Sequence, residues 1–214
     1  HLRDGAALRA GRLRDRNGQT RLTPVGRALA PAADPLAQTS TIYTFDLELA
    51  DADRGVYESL ALRVARHPSE SEEYLVARVL AYALEYEEGI AFSAGLSEPD
   101  DPAIAVRDLT GALRAWIDVG TPDPARLHRA AKAAPRVAVY VHKDPAQFLK
   151  RLSGERIHRA GDLRLWALDR TMVAAFTAGL SRRMRIGLTV SGQETYLSLG
   201  DREVSGPLTR LALT

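Results

Sequence analysis

A chain of 214 residues, 45% hydrophobic and without a cysteine or an apolar run of membrane-spanning length, has the material for one sizeable core. This excludes a disulfide framework, a zinc-thiolate site and a cysteine nucleophile, and the expectation is a cytoplasmic protein with no membrane partner. The net charge of +2 averages two unlike parts: residues 1–38 hold seven Arg against three Asp, leaving 22 basic residues (29 less 7) against 24 acidic ones (27 less 3) in the rest. A slightly acidic body is not the footprint of a dedicated duplex-binding domain.

Residues 1–38 are rich in Arg, Ala, Gly and Pro and carry no sustained apolar period, so they are read as a flexible basic extension, with residues 39–214 as a single domain. From Thr41 the pattern changes. Thr41 to Leu49 and Glu58 to Arg66 alternate like strands around the Ala50–Gly55 turn, and together predict a hairpin. His67-Pro68-Ser69-Glu70 predicts a helix start, with Ser69 as N-cap, Glu72 completing a capping box, and a helix running to about Glu87.

The acids of that first turn differ in position. On a helical wheel Glu72 falls nearest the middle of the apolar stripe, Glu73 lies at its edge in line with Ala77, Leu80 and Leu84, and Glu70 precedes Glu73 by one turn. Acids here also suit the positive end of the helix dipole with no further role. Ile90 to Ser93 predicts a short strand, and Gly95 to Val106 a loop. Within it Asp100 and Asp101 stand between two prolines, as a turn does and as a ligand loop for a hard cation does.

Next comes W-I-D-V-G, Trp116 to Gly120, closing a strand in which Leu113, Ala115, Ile117 and Val119 alternate with Arg114, Trp116 and Asp118. An acid at a strand end favours a turn for backbone reasons, and it also stands where α/β proteins present chemistry. Beyond it a helix is expected from Pro124 to about Ala134, with Arg126, Arg129 and Lys132 on its polar side. A buried strand follows from Arg136 to His142, exiting through Lys143 and Asp144, then a helix Pro145–Arg151, a strand Leu163–Leu168, a helix Asp169–Ala178, and a hairpin of Arg185–Val190 and Thr195–Leu199. No phosphate-binding or dinucleotide glycine loop, nucleophile elbow or H-E-x-x-H helix occurs, and the five His are scattered, so no organic cofactor and no histidine-held metal is expected.

The strings Thr41-Ile42-Tyr43, Ala50-Asp51-Ala52-Asp53-Arg54, V-A-R-H-P-S-E from Val64 to Glu70, Gly95-Leu96-Ser97, Trp116 to Asp123 and Arg170-Thr171-Met172 stand in one order. In that order they resemble the YaeQ family of small bacterial proteins, from about Thr39 to the end. The resemblance implies an α/β (α+β) fold with a mixed central sheet flanked by helices, similar to the restriction-endonuclease superfamily, with added N- and C-terminal β-hairpins. That superfamily carries a P-D…(D/E)-x-K signature, whose acids hold Mg²⁺ or Mn²⁺ for phosphodiester hydrolysis.

Carried over by position, the resemblance implies Glu73 as the helix acid with Glu70 beside it, Asp100 with Asp101 as second choice for the loop acid, and Asp118 for the strand acid. The helical wheel favours Glu72, whereas the family pattern favours Glu70 and Glu73. The lysine position falls on Gly120, so a base would have to come from Arg129 or Lys132 of the following helix, or from Lys143. Two readings result. One is a metal-dependent nuclease or phosphodiesterase acting on a nucleic acid or another phosphodiester. The other is a non-catalytic protein of the same fold that binds a protein or nucleic-acid partner as an interaction or regulatory module.

Overall fold

The computed structural model describes residues 40–93 and 100–213. The proposed extension at 1–38, the Gly95-Leu96-Ser97 string and Pro99 lie outside the described residues.

Two mixed sheets are packed around a buried helix. The hairpin expected at the start is β1 (Thr41–Asp51) and β2 (Val56–Arg66), in register from Thr41↔Arg66 to Asp51↔Val56. β1 turns Tyr43, Phe45, Leu47 and Leu49 inward and alternates them with half-buried or exposed residues, as a sheet with one wet face requires. The C-terminal hairpin β8 (Arg183–Ser191) and β9 (Glu194–Leu199) is also present, extended by β10 (Arg202–Pro207). The hairpins are not separate additions: β8 lies parallel to β1, giving one five-stranded sheet in the order β10-β9-β8-β1-β2.

The second sheet contains β3 (Ile90–Phe92), β4 (Ile104–Arg107), β5 (Leu113–Val119), β6 (Arg136–Val141), β7 (Arg164–Ala167) and β11 (Thr209–Leu211), in the order β11-β7-β6-β5-β4-β3. β5, β6 and β7 are parallel; β3, β4 and β11 are antiparallel to their neighbours. The expected loop at 95–106 thus ends in a strand, β4. The chain enters β3, its partner, through Gly89, whose φ is +84° and where a Cβ would clash with the carbonyl oxygen of Arg107 at the end of β4.

Helix α1 (Glu72–Leu84) is buried at every position from Leu75 to Leu84, between the two sheets and against α4 (Arg170–Ala178). A helix apolar almost all round belongs in such a place, and Ala77, Ala81 and Ala83 let its neighbours approach closely. Its N-cap is Ser71, whose hydroxyl accepts from the Tyr74 N–H, not Ser69 as expected; the capping box with Glu72 therefore does not form. Residues 67–70 instead form a tight turn, closed by the Glu70 N–H donating to the His67 carbonyl at 2.9 Å. Helices α2 (Pro124–Ala133) and α3 (Pro145–Leu152) start at Pro after Asp N-caps and cover the other face of the second sheet over Trp116, Val137, Val139 and Leu165. Among the described residues no helix is long and apolar enough to cross a membrane.

Candidate functional site

A cleft of about 580 Å³ opens where β5 and β6 end and α1 begins, lined among others by Ser69, Tyr74, Asp101, Asp118, Arg126 and His142. Parallel strands commonly present ligand sites at their carboxyl ends, so its place fits a functional cleft.

Asp118 is 2% exposed. By strand alternation it shares the face of Trp116, under α2, while Ile117 and Val119 face the core that holds α1. The start of α2 sets what Asp118 meets. The Asp123 side chain accepts from the Arg126 N–H at 2.7 Å and Pro124 fixes the first helical residue, which holds Arg126 in the first turn, over the strand end. Arg126 donates from Nε to Oδ2 of Asp118 at 2.7 Å and from Nη2 to Oδ1 at 2.8 Å, a bidentate pair with both carboxylate oxygens engaged. The Ala103 N–H adds a donor to Oδ1 at 3.3 Å, and Arg126 also reaches the Asp101 carbonyl at 2.7 Å. Its guanidinium lies 5.3 Å from the centroid of the Trp116 ring. The hydrogen bond to Asp118 holds the Arg126 pKa above its ordinary value.

The other candidate acids are placed differently. Glu70 is fully buried and paired with Arg78 at 2.9 Å; its second oxygen accepts from the His67 N–H at 3.1 Å, and Arg78 also donates to the Ala65 carbonyl at 2.8 Å. Glu70 is therefore tied into the joint between β2 and α1. Glu73 is half-exposed and bonded to Lys143 at 2.6 Å, and that hydrogen bond, with the charge behind it, holds the Glu73 carboxyl below its ordinary range. Asp100 is 93% exposed, with Arg129 at 4.0 Å. Asp101 lines the cleft, while Glu72 is exposed, 4.0 Å from Arg66.

Five of the acids, at 70, 72, 73, 100 and 118, thus face cations of the chain, and Glu73 and Asp118 project from α1 and from the far face of β5. Among the described residues no three His, Asp or Glu side chains gather into a group that could hold a metal ion. As placed, this donor set does not fit a divalent cation. Asp118 has both oxygens on a guanidinium, and Asp100 stands in solvent.

Gly120, on which the sequence pattern places the lysine position, closes β5. Its φ is +89°, a left-handed backbone that side-chain-bearing residues avoid, and its N–H donates to the Tyr140 carbonyl at 2.9 Å. Beside it stand Tyr74 and His142, two cleft residues that periodicity did not single out, with ring centroids 6.3 Å apart. Burial pushes the Tyr74 hydroxyl up to about 12. Burial also holds His142 below its usual pKa, aided by Lys143 and opposed by Glu73. Among the described residues, His142 Nδ1 is buried with no hydrogen-bond partner.

The family model described as "YaeQ protein" matches residues 36–207. The chain belongs to the YaeQ family. It is 30% identical over 164 residues to the uncharacterized protein YaeQ of Escherichia coli (strain K12), covering 76% of this chain and 91% of that protein. The YaeQ of Salmonella typhi matches to the same extent. Among solved structures, the YaeQ protein from Pseudomonas syringae superposes with a TM-score of 0.73 at 29% identity, covering 81% of this chain and 96% of that one. The YaeQ protein from Xanthomonas axonopodis pv. citri does so with a TM-score of 0.71 at 31% identity, covering 81% and 97%. The YaeQ fold is therefore the one described above, and the α+β expectation with a mixed sheet flanked by helices holds.

Proposed function

We propose that the chain is a non-catalytic interaction or regulatory module that keeps a restriction-endonuclease-like core and binds a partner at the end of β5 without cutting it. The observation that carries this reading is the bidentate pair of Asp118 with Arg126. The acid that a (D/E)-x-K strand would give to Mg²⁺ has an internal cation on both oxygens. A bound metal would have to displace a planar, permanently charged guanidinium held at 2.7 and 2.8 Å. Glycine at position 120, required by the positive φ, removes the lysine that would steady an attacking water. The near balance of charge outside the first 38 residues favours a protein partner over a nucleic-acid backbone.

The nuclease reading retains one observation in its favour. Asp101, Asp118 and Lys143 line a single cleft with room for a phosphodiester. A cleavage assay separates the two. The full chain is incubated with supercoiled plasmid, single-stranded DNA and a structured RNA in Mg²⁺ and in Mn²⁺, beside Asp118→Asn. The expected result is no difference between the two proteins. Metal-dependent cleavage that Asp118→Asn abolishes would overturn the proposal and restore the nuclease.

A further inference from the structure

A second cavity, of about 520 Å³, lies at the opposite end of α1, between that helix's C-terminus, the end of β1 and the starts of β6 and β7. Its volume is within the range of small-molecule sites, roughly 300–1,000 Å³. One wall is a single face of the second sheet. Register pairs Tyr140 with Trp166 and Ala138 with Arg164, and Val139 and Leu165 turn into the opposite core, so Arg136, Tyr140, Arg164 and Trp166 all point the same way.

Nearly every charge on this cavity is committed. The Tyr140 hydroxyl donates to Oε1 of Glu85 at 2.8 Å, and Arg136 donates to the other oxygen of Glu85 and to Glu87. Burial and the adjacent Glu85 push the Tyr140 pKa well up, which keeps the hydroxyl a donor. Arg54 donates to Asp51 at 2.6 Å and to the Tyr86 and Ala83 carbonyls at 3.2 and 3.4 Å, closing the end of α1. Asp53 accepts the N–H groups of Gly192 and Gln193 at 2.8 and 3.2 Å. The exception is Arg164. Among the described residues its side chain has no ion pair and no hydrogen bond, and it stands two residues from Trp166 on the same face. Tyr86, Val56, Leu84 and Leu208 complete an apolar lining. The Arg210 guanidinium, 5.0 Å from the Trp166 ring centroid, adds positive charge to this side.

An apolar chamber with fixed, satisfied polar walls and one uncommitted guanidinium next to an indole calls for a flat hydrophobic body with a single anionic group. We propose that this cavity is a binding site for a small aryl carboxylate, its carboxylate on Arg164 and its ring against Trp166 and Tyr86. The site is separate from the cleft at the end of β5 and stands whichever reading of that cleft holds.

The test is calorimetric titration of the full chain with 2-naphthoate and with the neutral 2-naphthalenemethanol, on wild type, Arg164→Gln and Arg129→Gln. Arg164 is exposed, so the substitution leaves the fold intact, which a melting curve checks. Wild type and Arg129→Gln bind naphthoate saturably and at least about tenfold more tightly than the alcohol. Arg164→Gln brings naphthoate down to the level of the alcohol. Equal affinity for acid and alcohol in wild type, naphthoate binding unchanged by Arg164→Gln, or no saturable binding would each overturn the proposal.

Discussion

Asp118 and Arg126 are eight residues apart in sequence and joined by two hydrogen bonds, 2.7 and 2.8 Å long, at the exit of the central strand. A cation in the first turn of a helix opposes the helix dipole, so the placement of Arg126 is explained by Asp118 and Asp123 and not by helix stability. Removing either partner is unequal in cost. Arg126→Ala leaves a buried carboxylate without its counter-charge and costs about 3 kcal/mol. Asp118→Ala costs less, because Arg126 is 22% exposed and can turn outward while keeping the Asp101 carbonyl. Urea unfolding of the two variants measures the difference. Equal costs would contradict this account of the pair.

Three other ion pairs of the candidate acids differ in burial, and their strengths should follow. Arg78 and Glu70 are 1% and 0% exposed, so Arg78→Ala costs about 3–5 kcal/mol. Lys143 and Glu73 are 60% and 46% exposed, so Lys143→Ala and Glu73→Ala each change stability by less than about 1 kcal/mol, as does removal of the Asp100–Arg129 contact. A chemical-denaturation series on single variants checks this order. An inverted order would show that the joint between β2 and α1 is not held by Glu70.

A side chain at position 120 is expected to destabilise the fold whatever its chemistry. The φ of +89° makes any side chain unfavourable there, although a Cβ would meet His142 and Tyr74 only at ordinary contact distances of 3.7 and 3.8 Å. Gly120→Ala and Gly120→Lys are both expected to cost roughly 1–2 kcal/mol from the backbone alone. Thermal melting measures it. A cost confined to the lysine variant would point to crowding instead of strain.

Stability should fall on mild acidification because of His142. Its folded pKa is lowered from 6.5, chiefly by burial, so the unfolded chain binds more protons between the lowered value and 6.5. Stability is therefore complete above that window and decreases as the pH drops through it. Melting temperatures across about pH 5 to 7.5 in wild type and His142→Gln test this, with a shallower slope expected in the variant. Identical slopes would assign the acid sensitivity elsewhere.

What the sequence disclosed was local. Alternation in Thr41–Leu49 and in Leu113–Val119, and the Asp-Pro starts at 123–124 and 144–145, are physical signals contained in a few residues, and each predicted element is present. The parallel pairing of β1 with β8 is not local: Thr44 meets Arg183, and no period in either strand announces it. Strand β4 is four residues long and follows an acid-rich stretch, so its loop character dominated. Ser71 displaced Ser69 as the cap because the turn at 67–70 consumed the residues before it. The acids at 70, 73, 100 and 118 were visible as residue types. Their partners Arg78, Lys143, Arg129 and Arg126 all come from other elements, and charge alone does not say which will pair.

The most direct test of the central claim, that Arg126 holds the position a metal would need, is calorimetric titration of Mn²⁺ and Mg²⁺ into wild type and Asp118→Asn. The account predicts no saturable binding by either protein. Saturable binding by wild type that Asp118→Asn abolishes would contradict it, and would make Asp118 a metal ligand after all.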